Sequence, residues 1–450
     1  MANMASSVQG GWPSSIGRKR HRIAMVCDFF HPRLGGVENH IWSLSHHLLR
    51  QGHSVIVLTH AYHTKQQSYS GVHYFETEDG RQPLKVYYCP ILPIVDQDCL
   101  PNCLATFPLF RWIMIREQIE IVHGHQATST MANEAMVYAS AMGIKSVYTD
   151  HSLFGFDDLA GVVLNRLLPT TLCTTNAVIA VSHACRDNLV LRAQLKADRQ
   201  QVSVIPNAID PSKFKPDPSK RPRANNRIKV VVVSRLVYRK GVDLLVGIIP
   251  TICHSMPHVD FLIGGDGSKL LALQEMVERD RLEDRVEFMG AVPHAQVRNV
   301  LVQGHVFLNC SLTESFCIAI LEAACTGLLV VSTNVGGVPE VLPPDLICLA
   351  NPNVPDLVEQ LLVAIERQQT NPIDPWTTHE RVCSMYSWER VAEETLQVYD
   401  TSTSSTTPEV TTFWSRLSCY YNALDGGIAG GVVACLAIIL SSWLRVIEYL

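Results

Sequence analysis

Two carboxylates eight positions apart, Glu314 and Glu322, flank the run Ser-Phe-Cys-Ile-Ala-Ile-Leu and follow the apolar strand pattern HVFLNCS. With Glu314 at a strand-to-helix turn and Glu322 about two helical turns along, they would reach different parts of one extended ligand. Glu322 stands among Ile320, Leu321, Ala323 and Ala324. A carboxylate in such company needs a partner, which ligand hydroxyls would supply. Arg235-x-x-x-x-Lys240 follows a second strand pattern, IKVVVVS. Two cations at the carboxyl end of a strand suit a diphosphate leaving group, which gathers negative charge as it departs; taken alone, they read equally well as solvated surface charge. Gly35-Gly36-Val37-Glu38 opens a helix after the strand IAMVCDFF. There bare amides and the helix dipole would receive an anion, or a tight turn needs glycine for steric reasons. Gly264-Gly265-Asp266-Gly267, after VDFLI, is open to the same two readings.

The elements that must position these residues are legible as alternation. From Ile23, β-branched runs (IAMVCDFF, HSVIVLTH, LKVYYCP, IEIVHGH, SVYTD, AVIAVSH, QVSVIP) are separated by longer mixed segments, which predicts an α/β, doubly wound, mostly parallel sheet. The proline- and charge-rich break PSKFKPDPSKRPRANNR precedes a second series: IKVVVVSRL, VDFLIGG, RVEFMG, HVFLNCS, LLVVST and ICLA. The expected organisation is a disordered N-terminus at 1–21, a Rossmann-like domain at 22–210, a linker at 211–227 and a second Rossmann-like domain at 228–375. A helical segment at 376–400 packing back, a linker at 401–425 and a transmembrane helix at 426–444 would follow. Ligands of such sheets lie beyond the carboxyl ends of the strands, so two facing domains bring donor and acceptor to one cleft.

Bulk properties narrow the class. A chain of 450 residues exceeds what one core fills. A net charge of -5 and a pI near 6.4 give no basic excess, and no nucleic-acid partner is expected. The 14 cysteines are dilute, form no C-x-x-C pair and often sit in apolar runs, so buried reduced thiols are expected. No signal-peptide core occurs in MANMASSVQGGWPSSIGRKRHR, which places the body of the protein in the cytosol. Gly426 to Leu444 is nineteen residues without a charge after the Ser/Thr-rich TSTSSTTPEVTT. As a helix it would span about 28 Å and cross a membrane once, with Gly426-x-x-x-Gly430 and Gly427-x-x-x-Gly431 open to another helix or fortuitous. Leu104 to Ile115, LATFPLFRWIMI, reads as a buried helix, the alternative being a face resting on a bilayer. Asp96-Gln97-Asp98 has the D-x-D form of a metal-binding motif but lies in a loop between prolines, and Asn309-Cys310-Ser311, a glycosylation sequon, lies in a core strand; neither is expected to be used.

The E-x7-E spacing, Arg235 with Lys240, Gly35-Gly36, Pro206-Asn207-Ala208-Ile209-Asp210 and Gly336-Gly337-Val338-Pro339-Glu340 together resemble the retaining GT-B glycosyltransferases of family four, over roughly Ile23 to Tyr399. Three longer runs resemble one subfamily, the catalytic subunits of phosphatidylinositol N-acetylglucosaminyltransferase: Thr149 to Phe156 (TDHSLFGF), Ser234 to Gly241 (SRLVYRKG) and Val297 to His305 (VRNVLVQGH). Many family members carry glycine where this chain has Cys317.

That resemblance implies transfer of N-acetylglucosamine from UDP to phosphatidylinositol with retention, the first step of GPI-anchor synthesis. The first domain would hold the acceptor and the second the UDP-sugar. It implies Arg235 and Lys240 on the diphosphate, Glu322 on the ribose, Glu314 on the donor sugar, and Gly35 and Gly36 giving amides to phosphate. Gly290 and Val292 would lie near the uracil, and His151 would touch the donor sugar. No cofactor and no metal are implied. With no agreed nucleophile for double displacement, same-face attack is expected, the UDP β-phosphate taking the proton. Partners would be UDP-N-acetylglucosamine, phosphatidylinositol, the membrane and several small membrane subunits, at the cytosolic face of the endoplasmic reticulum. A phosphatidylinositol mannosyltransferase would carry the same constellation, an inactive membrane scaffold would show degenerate motifs, and a dinucleotide oxidoreductase is disfavoured because no G-x-G-x-x-G follows the first strand.

Overall fold

The computed structural model describes residues 19–33, 35–63, 68–77, 80, 82–95, 97–102, 105–153, 159–195, 202–222, 227–404 and 412–449. Asp96, Leu104, the 154–156 part of the TDHSLFGF run, most of the N-terminal segment and 223–226 lie outside these.

Eight strands form the first sheet: β1 (Arg22–Val26), β2 (Ser54–His60), β3 (Gly71–Phe75), β4 (Leu84–Cys89), β5 (Ile121–His125), β6 (Lys145–Asp150), β7 (Ala177–Ala180) and β8 (Val202–Val204). Their order is β8-β7-β6-β5-β1-β2-β4-β3; only β3 runs antiparallel to its neighbour. The second sheet contains β9 (Ile228–Val233), β10 (Val259–Gly264), β11 (Val286–Gly290), β12 (Val306–Asn309), β13 (Leu329–Thr333) and β14 (Ile347–Ala350). It is all parallel in the order β11-β10-β9-β12-β13-β14. Both orders reverse direction beside the first strand of their sheet, which opens a crevice at the carboxyl ends of β1 and β5 and of β9 and β12. Strands of parallel sheets covered on both faces should be apolar nearly throughout; β1, β9 and β12 are buried almost end to end.

In the first sheet α1 (Gly36–Arg50) follows β1, α2 (Phe107–Arg116) precedes β5, and α3 (Thr130–Met142), α4 (Leu159–Leu172) and α5 (His183–Arg192) connect β5 through β8. In the second, α6 (Val242–Ser255), α7 (Leu270–Asp280), α8 (His294–Leu301) and α9 (Ile318–Cys325) connect β9 through β13, and α10 (Val354–Thr370) follows β14. The segment after α10 is two helices, α11 (Pro375–Met385) and α12 (Trp388–Ser404). The second crosses to the first sheet, where the Tyr399 hydroxyl meets His123 Nδ1 at 2.7 Å and Asp400 meets His21 Nε2 at 2.8 Å. One apolar cluster therefore runs through both halves, from Ile23 and Leu44 by way of Trp388 and Leu396 to Phe316 and Leu321.

The last segment corrects one expectation. A helix does form over the apolar run, α14 (Gly427–Tyr449), preceded by α13 (Phe413–Asn422). Yet among the described residues no helix is long and apolar enough to cross a membrane. Separately, α14 has protein on one side: Leu440 and Leu444 join the core on the outer face of the first sheet, and Trp443 lies 5.9 Å from Phe107, ring to ring. The glycine spacing accommodates α13 of the same chain, since a methyl group on Gly430 would sit 2.3 Å from the Tyr421 carbonyl. The other side is apolar and open, Ile428 being 90% and Val432 55% exposed. The α2 segment also divides. Phe107, Phe110, Ile113 and Met114 are buried, whereas Trp112 and Ile115 are about half exposed.

Candidate active site

The crevice of the second sheet is built from the loops after β9 and β12. After β9 the chain passes Arg235, makes a single 3-10 turn at Tyr238–Lys240 and leaves through Gly241, which is left-handed at φ 69°. A methyl group there would lie 1.7 Å from the Cys310 carbonyl, so only glycine lets the two loops touch. That contact, with the Leu312 amide donating to the Arg239 carbonyl at 2.9 Å, delivers Lys240 Nζ to Glu314 Oε1 at 2.5 Å. Ser311 Oγ donates to the same oxygen at 2.8 Å. Burial works against the Lys240 ammonium, but the Glu314 carboxylate outweighs it and holds the pKa above the usual lysine value. Arg235 is exposed at the mouth of the crevice. The Gly264–Gly267 run packs on this loop: a methyl group on Gly265 would be 1.9 Å from the Ser234 carbonyl and one on Gly267 2.4 Å from that of Leu236.

Gly336 and Gly337 brace Glu314 from the other side. The Gly337 amide donates to the Glu314 carbonyl at 3.0 Å. Methyl groups on Gly336 and Gly337 would lie 2.1 Å from the carbonyls of Glu314 and Ser315 respectively. The helix bearing Glu322 then starts at Cys317, which is left-handed at φ 72° and ψ 75°. This is the backbone that favours glycine.

Glu322 is 7% exposed, and its partner in this structure is a residue that sequence reasoning did not select: His294 Nε2 lies 2.9 Å from Glu322 Oε1. The hydrogen bond to that carboxylate, and then its charge, lift His294 above the usual imidazole value against the pull of burial. His294 opens α8 directly after the loop containing Gly290 and Val292. Gly290 is left-handed at φ 67° with open space beside it, whereas a methyl group on Gly264 would meet Val292 at 2.9 Å.

Across the cleft, Gly35 caps α1 without any side-chain hydrogen bond, and Cys317 does the same for α9. A methyl group on Gly36 would lie 3.6 Å from Ile318 Cδ1, so the two uncapped helix starts face one another. Each presents orphan amides and the positive end of a dipole, an arrangement that receives phosphate oxygens. His151 follows β6, and its carbonyl accepts from Ser315 Oγ of the second half at 2.6 Å. Its Nε2 is 3.3 Å from His125 Nδ1, and its ring centroid is 4.6 Å from that of His40. His40 Nδ1 donates to Asn207 Oδ1 at 2.8 Å. Burial pushes these imidazoles down, His40 to about 4 and His125 and His151 well below their usual value. They are neutral ligand or hydrogen-bonding groups rather than cations. The only sequence signal for His40 and His125 was a histidine at the carboxyl end of a buried strand and another one turn into the glycine-started helix.

Among the described residues, two groups have the composition to hold a metal ion: His40, His125 and His151, and Cys325, His379 and Cys383, each with ligand atoms within 4.8 Å of one another. In the second group His379 Nδ1 meets the Cys325 carbonyl at 2.8 Å. A carbonyl can only accept, so that nitrogen carries the proton and its lone pair is not free.

The family profile described as PIGA (GPI anchor biosynthesis) matches residues 60–158, and that described as Glycosyl transferases group 1 matches residues 214–372. A human phosphatidylinositol N-acetylglucosaminyltransferase subunit is 48% identical over 396 residues, 88% of this chain and 79% of that one. Its Arabidopsis thaliana namesake is 48% identical over 419 residues, 93% of this chain and 89% of that one. The chain belongs to the family of these phosphatidylinositol N-acetylglucosaminyltransferase subunits. Its members are glycosyltransferases named as parts of an assembly. Solved structures agree on the GT-B fold. Sucrose-phosphate synthase from Thermosynechococcus elongatus superimposes with a TM-score of 0.69 at 19% identity, over 85% of this chain and 99% of that one. Anabaena HepE in complex with UDP does so with 0.66 at 18%, over 84% and 100%. In this family member the paired carboxylates, Arg235, Lys240 and both glycine pairs all border the same crevice.

Proposed function

We propose that the protein transfers N-acetylglucosamine from UDP-N-acetylglucosamine to phosphatidylinositol with retention, the first step of GPI-anchor synthesis. The observation that carries this reading is the Lys240–Glu314 pair beside the uncapped start of α9, which itself faces that of α1, a site with cations and amides for a diphosphate and a carboxylate for a sugar. Arg235 and Lys240 bind the diphosphate, Gly35 and Gly36 add amides to it, Glu322 holds the ribose beside His294, and Gly290 and Val292 flank the base. Glu314 and His151 hold the donor sugar. The bond from the anomeric carbon to UDP breaks as an inositol hydroxyl attacks the same face, and the hydroxyl proton passes to the departing β-phosphate. The developing charge is met by Arg235, Lys240 and the helix amides, so the reaction needs no divalent cation.

The acceptor is a bilayer lipid. We place the protein at the endoplasmic reticulum membrane with both sheets on the cytosolic side, among small membrane subunits, with the open face of α14 against lipid or those subunits. Support for this comes from the exposed Ile428, Val432 and Ile439.

The test is transfer of radiolabelled sugar to phosphatidylinositol in membranes, with EDTA present, comparing UDP-N-acetylglucosamine with GDP-mannose. Product from the UDP donor is expected, with a loss on the order of 10²- to 10³-fold in Glu314→Ala and in Lys240→Ala. Product from GDP-mannose alone would move the assignment to a mannosyltransferase.

A further inference from the structure

A groove of about 520 Å³ opens on the first half of the molecule, at the carboxyl ends of β2 and β4, walled by Ala61, Val72, Tyr88, Ile91, Leu109 and Trp112 among others. We propose that it receives an acyl chain of the phospholipid acceptor. The proposal rests on the lipid-directed reading above and adds to it where the lipid tail lies.

The chemistry of the walls selects the occupant. The lining is apolar almost throughout, and the hydroxyl of Tyr88 is already committed to the His31 carbonyl at 2.9 Å. A peptide or a sugar entering such a groove would leave its polar groups without partners, whereas a hydrocarbon chain has none to satisfy. The groove is open to the outside through Leu92 and Trp112, 71% and 49% exposed. An apolar groove left open in this way suits an apolar occupant.

The rim is that of a membrane-facing surface. On α2, Trp112 and Ile115 point outward while Phe107, Phe110, Ile113 and Met114 hold the helix to the core. The Arg116 guanidinium lies over the Trp112 ring at 4.9 Å from its centroid. An outward indole and isoleucine beside a guanidinium, which also lies 3.5 Å from the Glu117 carboxylate, suit the boundary between acyl chains and the polar headgroups.

Hydrogen bonds tie the groove wall to a loop of the reaction cleft. Tyr88 in its wall is bonded to His31, and Tyr62, beside the wall residue Ala61, donates to the Asp28 carbonyl at 2.8 Å. Both acceptors belong to the β1–α1 loop that leads to Gly35 and Gly36. A phospholipid with its headgroup in the cleft and a tail in the groove would thus lie along one edge of the first sheet.

The experiment uses the full-length protein in its native membrane complex and a phosphatidylinositol carrying a diazirine in one acyl chain. Light should attach it to peptides spanning 87–92 and 109–113, with competition by unlabelled phosphatidylinositol and not by phosphatidylcholine. Attachment elsewhere while transfer proceeds, or equal competition by phosphatidylcholine, overturns the proposal. Labelled groove peptides without any sugar transfer would count against the reaction assignment alone. Kinetics supply a second readout. With monomeric short-chain phosphatidylinositols, each methylene that enters the groove should lower KM by up to about fourfold. In Trp112→Ser and Leu92→Asp, the ratio of kcat/KM for dihexanoyl-phosphatidylinositol to that for glycerophosphoinositol should fall about tenfold or more. An unchanged ratio overturns the groove.

Discussion

A methyl group on Gly336 would lie 2.1 Å from the Glu314 carbonyl on a backbone already at φ 51°. Gly336→Ala must therefore displace the Glu314 turn. We expect a loss of at least about 1 kcal/mol of stability, with sugar transfer lost further than the lower Tm explains. Transfer and Tm both at wild-type values would show that the turn has slack. The motif GGVPE announced this position in the sequence; what it braces was not visible, because the contact is with a loop more than twenty residues away. His294 was not visible at all. One histidine after a proline has many readings, and its bond to Glu322 exists only because α8 and α9 start side by side. Since its folded pKa is raised, its pairing stabilises fully below the unfolded value near 6.5 and is lost as pH rises through the folded value. The Tm gap between wild type and His294→Ala should accordingly be wider at pH 6 than at pH 8.5; a gap that stays constant would mean that the pair does not titrate.

Elements meet across the two halves through backbone groups. Glu340, from the same glycine motif, accepts from the amides of His183 and Ala184 at 2.7 and 2.8 Å, capping α5 from the other half. Ser182 Oγ donates to the Ser315 carbonyl at 2.6 Å. Removing the cap by Glu340→Ala should cost about 1 kcal/mol and raise amide exchange at 183 and 184; protection unchanged there would mean that the cap is redundant. A cluster of buried histidines on α1, on β5 and just after β6 makes acid a destabilising condition. His40, His123, His125 and His151 are held neutral by burial, so below about pH 6.5 the unfolded chain binds four protons that the native chain refuses. Asp28 and Asp150, each raised to about 7 by burial, act in the opposite sense, because the native chain keeps two protons that the unfolded chain releases above about pH 4. Four against two leaves a net loss of stability as pH falls from 6.5 towards 4. Scanning calorimetry should show Tm dropping between pH 7 and pH 5; a flat or rising Tm would contradict this balance.

At the scale of the whole molecule, α13 and α14 act as part of the first half rather than as a free tail. Arg416 donates to the Ser140 carbonyl at 2.8 Å, Tyr420 and Thr174 share a hydrogen bond of 3.2 Å, and Leu440 is 2% exposed. Deleting 427–450 takes Leu440 and Leu444 out of the core on the first sheet, and Tm should fall by several degrees; an unchanged Tm would show that α14 adds nothing to the stability of the first half.

By itself the sequence determined the parallel two-sheet architecture, because strands covered on both faces must be apolar runs and such runs survive in any order of reading. It also pointed to the crevice, since glycines, paired carboxylates and paired cations stand immediately after those runs. Only the tertiary structure decided which side chains answer each other. The Lys240–Glu314 bond depends on Gly241 touching Cys310, the Glu322–His294 bond on adjacent helix starts, and the division of α2 between Phe110 inside and Trp112 outside on the sheet beneath it. Local pattern reports how often a residue is buried, but pairing requires the distances between segments far apart in the chain, which no local periodicity contains.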